Sequence, residues 1–329
     1  MATSKRGGRG GKRHSSRGHL YSMKQQVTIV FTAVVAALAV LITLKSEFGF
    51  PFPVPTWREL YASAGLSEEE VTLVEGELSV HMIDVGQGDS ILIRTDDGHA
   101  MLVDAGERDQ GETVVSYLAA QGIDRLDLVV GSHPHTDHIG GLQEVIESVE
   151  TDLIWMPPLA DELLPDTRTF ENLLEAIDAG GIPLETPEVG ERYQLGEAEV
   201  TVLGPNDPED DNLNNQSLVL RVDFGGSSLL MTGDTEQPGE DLLLEGDLPV
   251  AADLLKVGHH GSNSSSGDDF LDAVDPAIAL ISCGEGNSYG HPHAEVLERL
   301  EAREIEIHRT DIEGSIVLIS DGTDFRLAA

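Results

Sequence analysis

The sequence predicts an α/β (α+β) domain, made of sheets covered by helices and preceded by one transmembrane helix. Three observations lead there. Residues 27–44 are an uncharged run that follows a basic N-terminus. From residue 77, short apolar runs separated by tight Gly/Asp turns read as strands. Further on, such runs alternate with helical stretches, as in sheets that bury their faces under helices.

Residues 1–26 hold seven basic side chains (Lys5, Arg6, Arg9, Lys12, Arg13, Arg17, Lys24) and no acid. This Gly/Ser-rich tail is too polar to pack, so it is expected to be a disordered cytoplasmic segment. The run 27–44, VTIVFTAVVAALAVLITL, is just long enough to span a bilayer core as a helix. Basic residues before it and acidic ones after it place the N-terminus in the cytoplasm and the rest outside the cell membrane. A cleaved signal peptide is the competing reading, but its apolar region is usually shorter, and LKSEFGFPFPVP offers no small-x-small cleavage site. Residues 45–76 form a linker stiffened by Pro51, Pro53 and Pro55 and carrying a short helix, TWRELYASAG. The main domain is expected over 77–329. Its strands are ELSVHMID, SILIRT, HAMLVDAG, DLVVGS, EVTVLG, SLVLRVDF, SLLMTG, DLLKVG, AIALISC and the closing GSIVLIS. Helices are expected near 112–121, from about Ile139, and after Gln237, Asp268 and His293.

The 329 residues carry 59 acidic and 20 basic side chains, a net charge of −39, and beyond residue 26 only 13 basic groups face all 59 acids. Binding of nucleic acid through a broad basic face is excluded for the main body. Cys283 is the only cysteine, which excludes a disulfide scaffold and any cysteine-rich zinc module. After residue 50 the only lysine is Lys256, beside eleven arginines. This lysine-poor, acid-rich composition resembles proteins of salt-loving archaea, where carboxylates hold water and counter-ions. A protein that repels or sequesters a partner would gather its acids in one tract, whereas here they are spread along the body.

Chemistry concentrates in SHPHTDHIGG, residues 132–141, directly after an apolar strand. His133, His135, Asp137 and His138 put three imidazoles and a carboxylate within six residues, a donor set for borderline metals. Residues two apart in an extended turn point the same way, so His133 and His135 can share one ion. Asp137 and His138 are then placed for a second.

The H-x-H-x-D-H pattern after a strand resembles the metallo-β-lactamase superfamily, and other motifs of that family follow in order. Asp104 in LVDAG matches an acid that orients the metal histidines. Asp234 in LLMTGDTE matches a carboxylate bridging two metals, and His259, His260 and His291 are candidates for the last ligand. The resemblance implies an αββα sandwich. HMIDVGQGDSILI, HHGS, GHP and Thr310-Asp311-x-x-Gly314 further resemble the outer hydrolase domain of ComEC-type DNA-uptake proteins. Those proteins set that domain beside a multi-helix channel. With one span, this chain is expected to be a stand-alone anchored relative that cannot move DNA by itself. The family's third motif normally supplies a histidine, yet none occurs between His138 and His259. Asn214, Asn215 and Ser217 stand near that place, as polar residues do in the ComEC-like branch. Fewer nitrogen ligands leave one site more open and shift the balance from Zn2+ towards Mn2+, with one or two ions bound.

A metal pair lowers the pKa of bound water and clamps the attacking and leaving oxygens of an ester. Asp137 would orient the water or act as base, and Asp234 would bridge. Asp104 and Asp84 are candidates for fixing the imidazoles, Asp84 equally for capping the DVGQGD turn. Gly86 and Gly88 permit that turn and bring backbone close to the site. Lys256 either meets Asp234 or substrate phosphate, or is a strand-end lysine satisfied by a buried carboxylate. Of His259 and His260, one can bind metal while the other donates a proton to the leaving oxygen. His293 starts a helix, Ser262 to Ser266 form a loop, and Cys283 and His81 belong to the interior. The acidic loop 205–212 lacks calcium-loop spacing. The expected function is an outward-facing, metal-dependent hydrolase of phosphodiesters, either small molecules or extracellular DNA. Hydrolysis of lactones, thioesters or envelope esters at the same site is the alternative, and a non-catalytic tethered module the third.

Overall fold

The computed structural model describes residues 70–207 and 210–328, together with residues 32, 35–45 and 54. Residues 1–67 form a unit separate from 68–329. Within the first unit residues 35–45 are helical, and the Lys45 ammonium donates to the Val54 carbonyl at 2.6 Å. Among the described residues no helix is long and apolar enough to cross a membrane. The start of the expected span, the basic tail and the short helix of 56–65 lie outside the described residues.

The second unit opens with an antiparallel meander of β1 (Leu78–Met82), β2 (Ile91–Thr95) and β3 (Ala100–Val103). Helix α1 (Gly111–Ala120), β4 (Arg125–Leu126) and β5 (Leu128–Val130) follow, with β5 parallel to β3. Next come α2 (Thr136–Ile139), α3 (Leu142–Ser148), β6 (Glu150–Thr151), β7 (Ile154–Trp155), α4 (Arg168–Gly180) and β8 (Leu184–Glu185). The antiparallel strands β9 (Arg192–Leu195), β10 (Ala198–Gly204), β11 (Val219–Phe224) and β12 (Ser227–Met231) begin a second sheet. It continues in parallel through α5 (Gln237–Glu245), β13 (Leu254–Lys256), α6 (Asp268–Val274), β14 (Ile278–Ile281), α7 (Ala294–Glu301) and β15 (Glu306–Arg309). After α8 (Thr310–Glu313), strands β16 (Ile316–Ser320) and β17 (Phe325–Leu327) return to the first sheet, where β16 lies antiparallel to β1. The orders are β17-β16-β1-β2-β3-β5-β7-β8 and β15-β14-β13-β12-β11-β10-β9.

Period-2 alternation explains how the sheets stack. Val80, Met82, Ile91, Ile93 and Val130 face Val200, Val202, Leu220, Met231 and Leu280 in one buried layer. The opposite faces carry Leu92, Leu102 and Val129 against α1, α3 and α4, and Leu230, Leu255 and Ala279 against α5, α6 and α7. Four layers result, helix–sheet–sheet–helix, the αββα sandwich expected. Two expectations need correction. The helix expected from Ile139 is broken at Gly140–Gly141. A Cβ at Gly140 would lie 2.3 Å from the Thr136 carbonyl oxygen and 2.5 Å from the Arg108 nitrogen, so the turn is pressed against the 104–108 loop. Helix α4, which the apolar-run reading passed over, has its own end signals: Thr167 accepts from the Phe170 N–H, and Gly181 closes it at φ +64°.

His81 faces helix α1 from β1, fully buried, its ring nitrogens 2.8 Å from the Ser79 hydroxyl and 2.9 Å from the Tyr117 hydroxyl. Burial, reinforced by Arg94, lowers its pKa to about 3. The unfolded imidazole takes up a proton near pH 6.5, so stability is complete above that value and lost as pH falls. Between pH 7.5 and 5.5 the wild type should lose about 1.4 kcal/mol relative to His81→Gln in urea unfolding, and parallel pH profiles would refute this.

Candidate metal centre

Every functional loop leaves the sandwich at one end. Asp104 follows β3, the His133–His138 turn follows β5, Asp234 follows β12, His259 and His260 follow β13, and Ser282 follows β14. These strands are mutually parallel within each sheet, so their carboxyl ends open a crevice where ligands collect. The turn between β1 and β2 closes it from the side. Gly88, at φ +134°, lies so near the histidine turn that a Cβ would sit 2.2 Å from the Asp137 carbonyl oxygen. In return the Asp89 N–H donates to that oxygen at 3.2 Å.

Asp234 is the focus. Its Oδ2 lies 3.2 Å from His138 Nε2, 3.5 Å from His260 Nε2, 3.7 Å from His259 Nε2 and 3.8 Å from His133 Nε2. The outer nitrogens are held from behind. Asp104, itself at φ +61°, accepts from His138 Nδ1 at 2.8 Å and from the Ser132 N–H and hydroxyl. His260 Nδ1 donates to the Ser282 carbonyl at 3.0 Å, which fixes the proton there and turns Nε2 inward. The Ser282 hydroxyl donates to the Gly88 carbonyl at 2.6 Å, tying that strand end to the glycine turn. His259 and His260 both adopt left-handed backbone, φ +50° and +55°, a conformation rare for non-glycine residues and typical of functional turns. His259 Nδ1 faces Glu236 at 3.4 Å and Ser264 at 3.3 Å.

Electrostatics follows from burial. Asp89, Asp104 and Asp234 are buried with one lysine, Lys256. Burial opposes charge on His138 and His260 most strongly, but the surrounding carboxylates together outweigh it, Asp234 and Asp104 at His138 and Asp234, Asp89 and Asp137 at His260, and both imidazoles are held well above their ordinary pKa. The same imidazoles hold Asp234 well below the carboxylate range against burial. His133 is pushed well down by burial and by His138. Among the described residues, His138 Nε2, His260 Nε2, Asp234 Oδ1 and Asp89 Oδ1 are buried with no hydrogen-bond partner. Ligand atoms of those four residues all lie within 4.8 Å of one another. Buried carboxylates, inward nitrogens and unpartnered oxygens fit a divalent cation, which would displace the protons of those imidazoles.

His133, His135, His138, Asp137, Asp234, His259 and His260 are thus brought together. Asp137 and His259 remain 25% and 23% exposed and line the opening, Asp137 Oδ2 standing 3.4 Å from His260 Nε2. His135 Nδ1 lies 2.9 Å from His133 Nε2. His291 stands further out, its ring 5.6 Å from that of His259.

Other expectations change. Asp84 is exposed and caps its turn by accepting from the Gly86 N–H at 3.0 Å, so it does not orient an imidazole. The carboxylate at the centre is Asp89, five residues on, which sequence reasoning missed. Its one signal was an acid placed between Gly88 and the wholly apolar start of β2. Lys256 is fully buried, pairs with Asp89, and donates to the Gly233 carbonyl at 3.1 Å. It cannot reach substrate phosphate, and its charge instead balances Asp89 and Asp234. Glu236 was missed too. At the third-motif position the Ser217 hydroxyl accepts from the Asp234 N–H at 3.1 Å, and Asn214 donates to Glu236 at 3.2 Å. Those side chains therefore brace Asp234 and His259. Thr310 exchanges hydrogen bonds with both backbone groups of Cys283, locking the strand end that carries Ser282.

Fold and centre together define a metallohydrolase. The chain matches the Metallo-beta-lactamase superfamily over residues 83–285 and belongs to it. It is 35% identical to ComE operon protein 3 of Bacillus subtilis, over 74% of this chain and 33% of that protein. To competence protein ComA of Neisseria gonorrhoeae it is 34% identical, over 88% of this chain and 38% of the other. The chain thus spans about a third of the length of these relatives. In fold it is similar to CmlA, a diiron β-hydroxylase from Streptomyces venezuelae, with TM-score 0.50 and 17% identity, over 78% of this chain and 59% of that one.

Removing one partner of the Lys256–Asp89 pair strands a buried charge. Lys256→Met and Asp89→Asn should each cost about 3–5 kcal/mol in urea unfolding, and the double variant clearly less than their sum. Additive losses would show that the two do not act as a pair.

Proposed function

We propose that this chain is a membrane-anchored, outward-facing hydrolase of phosphodiesters, with DNA outside the cell as its substrate. The observation that carries the proposal is the convergence of four imidazoles on Asp234 Oδ2 beneath a partly exposed Asp137. Competence relatives support a nucleic-acid substrate. The basic tail and the uncharged run of 27–44 support the anchor and its orientation.

His138, His260, Asp137 and Asp234 would hold one divalent ion, Zn2+ or Mn2+. His133, His135, His259 and Asp234 would hold a second in the more open position. Such ions acidify water and neutralise charge on the phosphate oxygens. The protein's own groups do the rest. Asp137, ionised at the opening, accepts the proton of the attacking water as the water oxygen bonds to phosphorus and one P–O ester bond breaks, the leaving oxygen taking up a proton from solvent. Nδ1 protons held by Asp104 and by the Ser282 carbonyl keep the Nε2 lone pairs of His138 and His260 pointing inward. The Ser264 hydroxyl does the same for His259, accepting at 3.3 Å while it donates to Glu236. The acidic surface repels a polyanion at low salt, but at molar salt screening acts over about 3 Å, and repulsion is confined to direct contacts.

The purified full-length chain, in molar KCl with Mn2+ or Zn2+, should cut single-stranded DNA and bis(p-nitrophenyl) phosphate. His135→Ala and Asp234→Asn should each lower kcat/KM by on the order of 100-fold or more. A metal-loaded, folded protein that cuts neither substrate would overturn the proposal and move the search to lactones and envelope esters.

A further inference from the structure

Beside the centre a loop carries Tyr289, the one exposed aromatic among the large hydrophobic side chains of the described residues. Its ring is 64% exposed, although a tyrosine normally buries much of its area. The ring stacks on His291, centroids 5.6 Å apart and planes 24° apart. His291 in turn lies against His260 at 6.2 Å and 30°. The three rings form a column whose inner end faces Asp234 and whose outer end meets solvent.

The loop is fixed in that shape by Asn287. Its carbonyl oxygen accepts from the Tyr289 N–H at 3.1 Å and from the His291 N–H at 3.0 Å. Its amide donates to the carbonyls of Gly284 at 2.9 Å and His291 at 2.6 Å. One side chain thus ties both ends of the loop, and the aromatic platform is ordered before any ligand arrives. Preorganisation of this kind lowers the entropic cost of binding.

We infer that Tyr289 is a stacking platform for a nucleobase of a single-stranded nucleic acid whose phosphodiester lies at the metal centre. This rests on the phosphodiesterase reading above and adds a specificity for flat, unpaired bases. A body with 13 basic groups against 59 acids gains little from phosphate contacts, so affinity for a strand must come from uncharged surface. Base–aromatic stacking is such a source and needs no basic groups. Two ring spacings separate the platform from His260, a reach covered by a few nucleotides at about 3.4 Å each along a stacked strand. A duplex hides its base faces and could not use the platform.

The test uses the full-length, metal-loaded chain with three substrates: a single-stranded oligonucleotide, its duplex, and the same strand with abasic residues. Tyr289→Ala should raise KM for the base-carrying strand by about 5- to 100-fold, with kcat retained. It should leave KM for the abasic strand unchanged, and Tyr289→Phe should behave as wild type. The wild type should bind the single strand more tightly than the duplex. An unchanged KM in Tyr289→Ala, an equal rise on the abasic strand, or a preference for duplex would overturn the platform while leaving the phosphodiesterase intact. A wild type that cleaves none of the three would instead overturn the phosphodiesterase reading, and this inference with it.

Discussion

Asp234 holds a negative charge at the floor of the crevice where burial alone would forbid it, and the rest of the site is arranged around that cost. Four imidazole nitrogens approach one of its oxygens. Lys256, itself fully buried, stands 3.9 Å from the other. Burying a charge without partners costs several kcal/mol, so each of these groups must be fixed by something behind it. Asp104 fixes His138, the Ser282 carbonyl fixes His260, the Ser264 hydroxyl, itself donating to Glu236, fixes His259, and Asp89 fixes Lys256. Three buried carboxylates share the centre with one lysine, so a divalent cation can take the place of the protons that His138 and His260 otherwise hold.

The sandwich supplies the geometry. Two sheets meet through a buried apolar layer, and their parallel strands end side by side, so loops distant in sequence open onto one crevice. Glycine permits the closest of these approaches. At Gly88 the turn after β1 touches the histidine turn, and through Ser282 it touches the end of β14. Backbone contact of this kind sets ligand positions more firmly than side chains alone could.

Much of the fold and the centre was legible before the structure. His133, His135, Asp137 and His138 announce themselves because their spacing is local, and Asp104 and Asp234 because each matches a motif of the metallo-β-lactamase superfamily. Asp89 was not legible, since its meaning depends on Lys256 far along the chain and on which acid of the β1–β2 turn points inward. Asp84 and Asp89 bracket the same glycines, and only the fold of that turn separates an exposed cap from a buried partner. Asn214 and Ser217 were recognised as occupying a histidine's place, but their service to Glu236 and Asp234 is a tertiary contact with no local sign. Helix α4 escaped because its apolar residues, Phe170, Leu173 and Ile177, recur at helical spacing rather than in a run.

The central claim is that Asp234 organises a cation site, and metal content tests it most directly. Wild type and Asp234→Asn would be dialysed to equilibrium against Mn2+ or Zn2+ in molar KCl, and bound metal measured by elemental mass spectrometry. The account predicts one or two ions per wild-type chain and loss of tight binding in the variant. Equal metal in both proteins, or none in a folded wild type, would contradict it.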